Sequence, residues 1–166
     1  TAGLQEKFGA ERVIDTPLDE TSIAGLTVGM ATQGMRPVAE AQFDGFVYPM
    51  VDHIVCHAAR MRSRTRGRLS CPLVLRIPWG GGIRAPEHHS EANESIFTNV
   101  PGLRVVIPSS PQRAYGLLLA AIRDGRRLPL GSDHAVEFDE KADLVFHRRQ
   151  SLPLHANGMR FTAYDA

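Results

Sequence analysis

The chain has 166 residues, of which 43% are hydrophobic and 22% charged, with a formal charge of +1. That is enough for one domain burying about 70% of its unfolded surface, and it gives no electrostatic case for nucleic acid or an acidic membrane as partner. Cys56 and Cys71 form neither a CxxC pair nor a disulfide framework, no apolar run approaches the roughly 18 residues of a membrane span, and the first residues lack a charged-then-apolar leader. The expectation is a reducing compartment, cytoplasm or an organelle matrix.

In chain order, the sequence predicts a strand at "RVID" from Arg12, a helix over 17–33, a strand at "PVAEAQF" from Pro37 and a helix over 49–64. Strands at "PLVLRIP" from Pro72 and "LRVVIP" from Leu103 follow, then a helix over 111–123. Alternation of this kind predicts an α/β domain with a mainly parallel sheet flanked by helices. In the last helix Ser110 suits the cap and Pro111 the first turn, while Ala114, Leu117, Leu118, Ala121 and Ile122 make one apolar stripe. After Asp124 the segments become short, poorly periodic and rich in charge, so 125–166 reads as weakly structured or differently folded.

The stretch "DTPLDETSIAGL" carries three acids. Asp15 ends the first predicted strand. Thr16, Pro17 and Asp19 fit cap, first helical position and capping box, which gives Asp19 a structural task. Glu20 points about 100° away from Asp19, beside the small apolar face of Ile23, Ala24 and Leu26. It reads either as a solvated first-turn acid or as a partly desolvated carboxyl with chemistry. The glycines of "AGLTVGMATQG" weaken a helix and predict close contact with another helix or subunit. They match neither GxxxxGK nor a strand-coupled GxGxxG.

"PWGGGIRAPEHHSE" places Gly80, Gly81 and Gly82 in a loop at a strand's C-terminal end, the edge where open α/β sheets bind ligands. His88 and His89 at its far end read as proton donors, as metal ligands, or as solvated loop histidines. His53 and His57 at i, i+4, with Cys56 between them, have zinc-ligand spacing but neither an HExxH glutamate nor an evident third ligand.

Three blocks, "FGAERVIDTPLDETSIAGLTVGMATQGMRPVAEAQFDGFVYPMVDHIV", "PLVLRIPWGGGIRAPEHHSE" and "VPGLRVVIPSSPQRAYGLLLAAIRD", together resemble the beta subunit of the thiamin-diphosphate-dependent decarboxylating component of 2-oxo acid dehydrogenase complexes. The bacterial branched-chain and pyruvate types are the nearest. The resemblance covers residues 4 to 124 in order. It implies a thiamin-diphosphate-binding fold of the transketolase pyrimidine-domain type, incomplete at both ends, over 1–124, followed by a divergent tail over 125–166.

By that resemblance Glu20 is the carboxyl that hydrogen-bonds the cofactor's aminopyrimidine and favours its imino tautomer. Phe46 stacks on the pyrimidine, with Leu18 and Gln42 in the same pocket, and His89, with His88 beside it, acts in steps involving the 2-oxo acid or the lipoyl acceptor. Leu73, Ala121, Ile122 and Asp124 match a monovalent-cation site, usually potassium, although Arg126 stands where the family has asparagine and would repel a cation. Magnesium and the diphosphate are expected mainly on an alpha subunit, because this chain has no Gly-Asp-Gly motif. The implied assembly is two alpha and two beta subunits around a lipoyl acyltransferase core, in the cytoplasm of a bacterium or the mitochondrial matrix of a eukaryote.

The resemblance also implies oxidative decarboxylation of a 2-oxo acid with acyl transfer to lipoamide, and Gln42 and the "HHS" loop lean towards the branched-chain side. The family's front segment before Thr1 and its continuation beyond Asp124 are not matched, which suggests a truncated or frame-disrupted copy, inactive by itself. A non-catalytic remnant or interaction module and a transketolase-like half-enzyme are the alternative expectations.

Overall fold

The computed structural model describes residues 2–80 and 84–123, the side chain of Trp79 excepted, together with the backbone of 142–148. The elements are α1 (Leu4–Phe8), α2 (Glu20–Thr32), β1 (Val38–Glu40), a 3-10 helix (Asp44–Met50), a π-helical segment (Asp52–Ala58), α3 (Met61–Arg64), β2 (Leu73–Trp79), a 3-10 turn (Glu87–Ser90), α4 (Glu94–Thr98), β3 (Leu103–Val106), α5 (Pro111–Arg123) and β4 (Ala142–Arg148). The four strands form one parallel sheet in the order β1-β2-β4-β3. Val38 is in register with Val74, Leu75 with Leu144, and Leu103 with Ala142.

β2 lies inside the sheet, and Leu73, Val74, Leu75 and Ile77 are all buried. A strand covered on both faces reads as a continuous apolar run rather than an alternating one. Phe97, Leu103, Ile54, Met50 and Val47 complete the core. α5 packs over β2 and β4, and its five expected stripe residues are half-buried. The Ser110 hydroxyl accepts the Arg113 N–H at 3.2 Å, and Pro111 opens the helix.

Several expectations are corrected. "RVID" is not a strand: the N–H groups of Arg12 and Val13 both donate to the Gly9 carbonyl, and Ile14 is left exposed. Four residues with no neighbouring strand cannot satisfy a ladder, so the segment closes locally as a turn.

α2 begins at Glu20 rather than at Pro17, and Asp19 is itself the cap. Its carboxylate accepts the N–H of Thr21 at 3.1 Å, that of Ser22 at 3.3 Å, and the Ser22 hydroxyl. One carboxylate thus satisfies two orphan helix donors, more than a Thr16 hydroxyl would. The Ser22 hydroxyl bond, followed by the backbone bonds, holds Asp19 below the usual carboxylate range.

The expected helix over 49–64 is divided into 3-10, π and short α pieces. Pro49 lies inside the first piece and has no N–H to give to an α ladder. The rest is wound as a π segment that still buries Ile54 and Ala58.

Of the glycines in α2, Gly25 faces the His53 ring closely enough that a Cβ would stand 3.3 Å from its Cε1, whereas Gly29 meets nothing within 4 Å. Gly81, Gly82, Asp124 and Arg126 lie outside the described residues. So does the tail over 125–166, apart from the backbone of β4, a strand that the charged sequence around it did not suggest.

Candidate active site

The 3-10 helix after β1 and the 3-10 turn beyond β2 pack on each other, and four rings meet there. The Phe46 centroid is 5.8 Å from that of Phe43, 5.2 Å from His88 and 5.3 Å from His89. Phe43 and His89 are 4.9 Å apart, His88 and His89 4.5 Å. Edge-to-face contacts dominate, an arrangement that holds aromatic rings in defined orientations. Two residues singled out from the sequence, Phe46 and His89, are therefore neighbours although 43 positions separate them, and His88 joins them.

Glu20 occupies the first position of α2, which packs on the same 3-10 helix. It is half-buried, and its carboxylate has no hydrogen bond or ion pair among the described residues. Leu18 is 90% exposed, and Gln42, between β1 and the 3-10 helix, is exposed too. Leu18 lies two residues before α2, and Gln42 two residues before the 3-10 helix.

The sequence reading missed the residues that hold the cluster together. Asp44 is 1% exposed, and its Oδ2 accepts the Asn93 N–H at 2.5 Å, while its Oδ1 is buried with no partner among the described residues. Gly45 lies so close to the histidine turn that a Cβ would stand 2.0 Å from the His88 carbonyl oxygen. The Tyr48 hydroxyl donates to Glu91 at 2.7 Å, and the Asn93 amide donates to the same carboxylate at 2.9 Å. The one available signal is an acid inside the otherwise apolar run "FDGFVYPMV", since acids are seldom enclosed without a task.

Burial pushes the Asp44 carboxyl up to about 6; the Asn93 N–H opposes this, and the charges of Glu94 and Glu91 add to it. A carboxyl that holds its proton more tightly folded than unfolded gives stability that is complete below about pH 4 and is lost as pH rises to about 6. The loss is on the order of 3 kcal/mol. Urea unfolding of wild type and Asp44→Asn between pH 4 and 7 should show the difference moving in favour of the variant by about that amount. A difference that stays flat across this range contradicts the assignment.

The model of the transketolase pyrimidine-binding domain matches residues 1–130, more than half of the chain. The chain belongs to the transketolase pyrimidine-binding domain family. A second model, the serine dehydratase beta chain, matches residues 100–166.

Among curated proteins, this pyrimidine-binding domain is 60% identical over 124 residues to the pyruvate dehydrogenase E1 component subunit beta of Acholeplasma laidlawii, covering 75% of this chain and 38% of that protein. It is 53% identical over 124 residues to the 2-oxoisovalerate dehydrogenase subunit beta of Bacillus subtilis, with the same coverage of each. The whole chain is 44% identical over 172 aligned positions to the pyruvate dehydrogenase E1 component subunit beta of Leifsonia xyli, covering 100% of this chain and 49% of that protein. The chain thus spans less than half the length of these relatives.

The expected monovalent-cation site and the zinc-spaced histidine pair are both met by fixed positive charge in this pyrimidine-binding domain. The Ile122 carbonyl accepts the Arg36 guanidinium at 2.8 Å, so a potassium ion drawn to the carbonyls of Leu73, Ala121 and Ile122 would face a resident cation; Asp124 lies outside the described residues. At the zinc-spaced pair, Asp52 rather than Cys56 joins His53 and His57, with ligand atoms within 4.8 Å of one another. His57 Nε2 is 3.7 Å from Asp52, and the Arg64 guanidinium lies 3.4 Å from His57 Nδ1. Both His57 nitrogens thus have partners within the chain, one of them cationic, and the donor set does not favour a divalent ion.

Proposed function

We propose that the chain is the pyrimidine-binding part of a 2-oxo acid dehydrogenase beta subunit, serving oxidative decarboxylation of pyruvate or a branched-chain 2-oxo acid with acyl transfer to lipoamide. One observation carries this reading. A Glu20 carboxylate with no partner among the described residues opens α2 beside an element that presents Phe46 against His88 and His89, in a chain 60% and 53% identical over 124 residues to beta subunits of the two complex types.

The residues fit thiamin diphosphate as cofactor. An aminopyrimidine needs a carboxyl with bonding capacity to spare and a flat apolar ring, and Glu20 and Phe46 supply them; Leu18 and Gln42, both exposed, are proposed to line the same pocket. When bound, the cofactor supplies a nucleophilic carbon and an electron sink for loss of carbon dioxide. Glu20 holds and exchanges a proton at its carboxylate, Phe46 orients the ring, and His89 with His88 offers imidazole nitrogens to the 2-oxo acid or the lipoyl acceptor. An alpha subunit holds the diphosphate and its magnesium, a second beta subunit completes the assembly, and the acyl group passes to a lipoyl acyltransferase core. The two free cysteines, Cys56 and Cys71, support a bacterial cytoplasm or a mitochondrial matrix as the setting.

The test is co-expression with an alpha subunit, measuring thiamin diphosphate binding and release of carbon dioxide from pyruvate and from a branched-chain 2-oxo acid. Saturable binding and turnover of at least one substrate are expected. Neither binding nor turnover with any alpha partner defeats the reading.

A further inference from the structure

We propose that Asp44, Gly45 and Tyr48 form a clamp that positions the His88–His89 turn against Phe46, with the bond from the Asn93 N–H to Asp44 as its buried anchor. The inference rests on the proposed function only for what the histidines are used for; the clamp itself stands on geometry.

The turn has little to hold it from within. It follows Arg84 and includes Glu87, both with positive φ, 58° and 55°, a conformation disfavoured for side chains of this size. Among the described residues its own ties are the Ser90 hydroxyl donating to the Ala85 carbonyl at 2.6 Å and the Gly80 N–H donating to the Glu91 carbonyl at 3.0 Å. A segment paying for two such residues persists only when its surroundings over-determine it.

Three features of the 3-10 helix supply that. Asp44 accepts the Asn93 N–H just beyond the turn. Gly45, lacking a side chain, lets the His88 backbone come down onto the helix. Tyr48 donates to Glu91 at the outer edge, and the Asn93 amide closes the link between Glu91 and Asp44, bonding the Glu91 carboxylate at 2.9 Å and the Asp44 carbonyl at 3.5 Å. The same short helix presents Phe46 to both imidazoles. One element therefore carries both the ring and the means of fixing the histidines to it. A carboxylate bonded to a backbone N–H is among the stronger ties available to a loop, and here it is enclosed.

The role differs from that of a catalytic residue. Among the described residues Asp44 bonds Asn93 and none of the four rings, and it acts by holding the backbone on which His88 and His89 sit. It is a positioning residue, and its essential property is an acceptor at Oδ2.

The experiment is carbethoxylation of the full chain by diethyl pyrocarbonate at neutral pH, with or without an alpha subunit, and rates at each histidine read by peptide mass spectrometry. His53 and His57, on the π-helical segment, serve as internal controls. Asp44→Ala should speed labelling of His88 and His89 by about tenfold or more, the size expected when a charge-assisted buried hydrogen bond is lost, and leave His53 and His57 unchanged. Asp44→Asn retains an acceptor and should stay within about threefold of wild type. Tyr48→Phe, which removes one hydroxyl from a half-exposed side chain, should give a smaller rise confined to His88 and His89.

Unchanged rates in Asp44→Ala, or equal acceleration in Asp44→Asn, overturn the clamp. If Asp44→Ala accelerates all four histidines together, Tyr48→Phe decides, and a uniform rise or no rise there also overturns it. Labelling is read whether or not the protein turns over a 2-oxo acid, so a chain that shows the expected pattern without decarboxylating anything defeats the proposed function and leaves the clamp standing.

Discussion

Glu20→Gln in a complex with an alpha subunit is expected to lower 2-oxo acid decarboxylation by about 10²- to 10⁴-fold, the range for removing a placed proton-exchanging group. The amide is nearly the same size, so thiamin diphosphate should still bind. Stability should stay within about 0.5 kcal/mol of wild type, because the Glu20 carboxylate makes no bond to the described residues. Rates with pyruvate and with a branched-chain substrate, alongside urea unfolding, check both halves. A rate that survives unchanged removes Glu20 from the chemistry. A large loss of stability would show that it has a structural partner instead.

Gly45→Ala is the second large effect. An added Cβ would stand 2.0 Å from the His88 carbonyl oxygen and 2.7 Å from its carbonyl carbon, so backbone rather than a flexible side chain would have to move. Overpacking of this kind costs about 1–3 kcal/mol, and the displaced turn carries both imidazoles away from Phe46. The variant should lose stability and also decarboxylation rate.

Gly102→Ala is the control. Its Cβ would stand 2.2 Å from the Ala59 carbonyl oxygen and its φ is +93°, so it should destabilise too, but at a site where Ala59 and not the histidine turn is the neighbour. Urea midpoints and rates of the two variants together separate general destabilisation from displacement of the turn. Equal rate losses at equal stability would argue against a special position for Gly45.

These residues were unequally legible. The apolar run of β2 and the capped, striped α5 announce themselves, since each is a local pattern with a local cause. The segment from 49 to 64 has an amphipathic pattern but not the geometry that the pattern suggests, because Pro49 removes an N–H from the ladder. "RVID" has strand composition without a neighbouring strand. In "DTPLDE" the sequence suggests Thr16 as the cap with Asp19 in a capping box, but Asp19, which satisfies two N–H groups at once, is itself the cap.

The site divides in the same way. Glu20, Phe46 and His89 could be named from ordered family-like blocks, yet nothing in their spacing shows that Phe46 and His89 touch. Asp44 could not be assigned a task at all, because its partner is a backbone N–H 49 positions away, and backbone groups carry no mark in a sequence.

By itself, then, the sequence determined the α/β class, strands β1, β2 and β3 and the family to which the chain belongs, because periodicity, capping and motif order are properties of neighbouring residues. Only the tertiary structure decided that the sheet runs β1-β2-β4-β3, that Arg36 sits on the Ile122 carbonyl, and that one short 3-10 helix holds both the aromatic ring and the histidine turn. Those depend on which distant groups are brought within bonding distance, and in an enclosed site a single unpaired carboxylate or missing Cβ decides whether they can be.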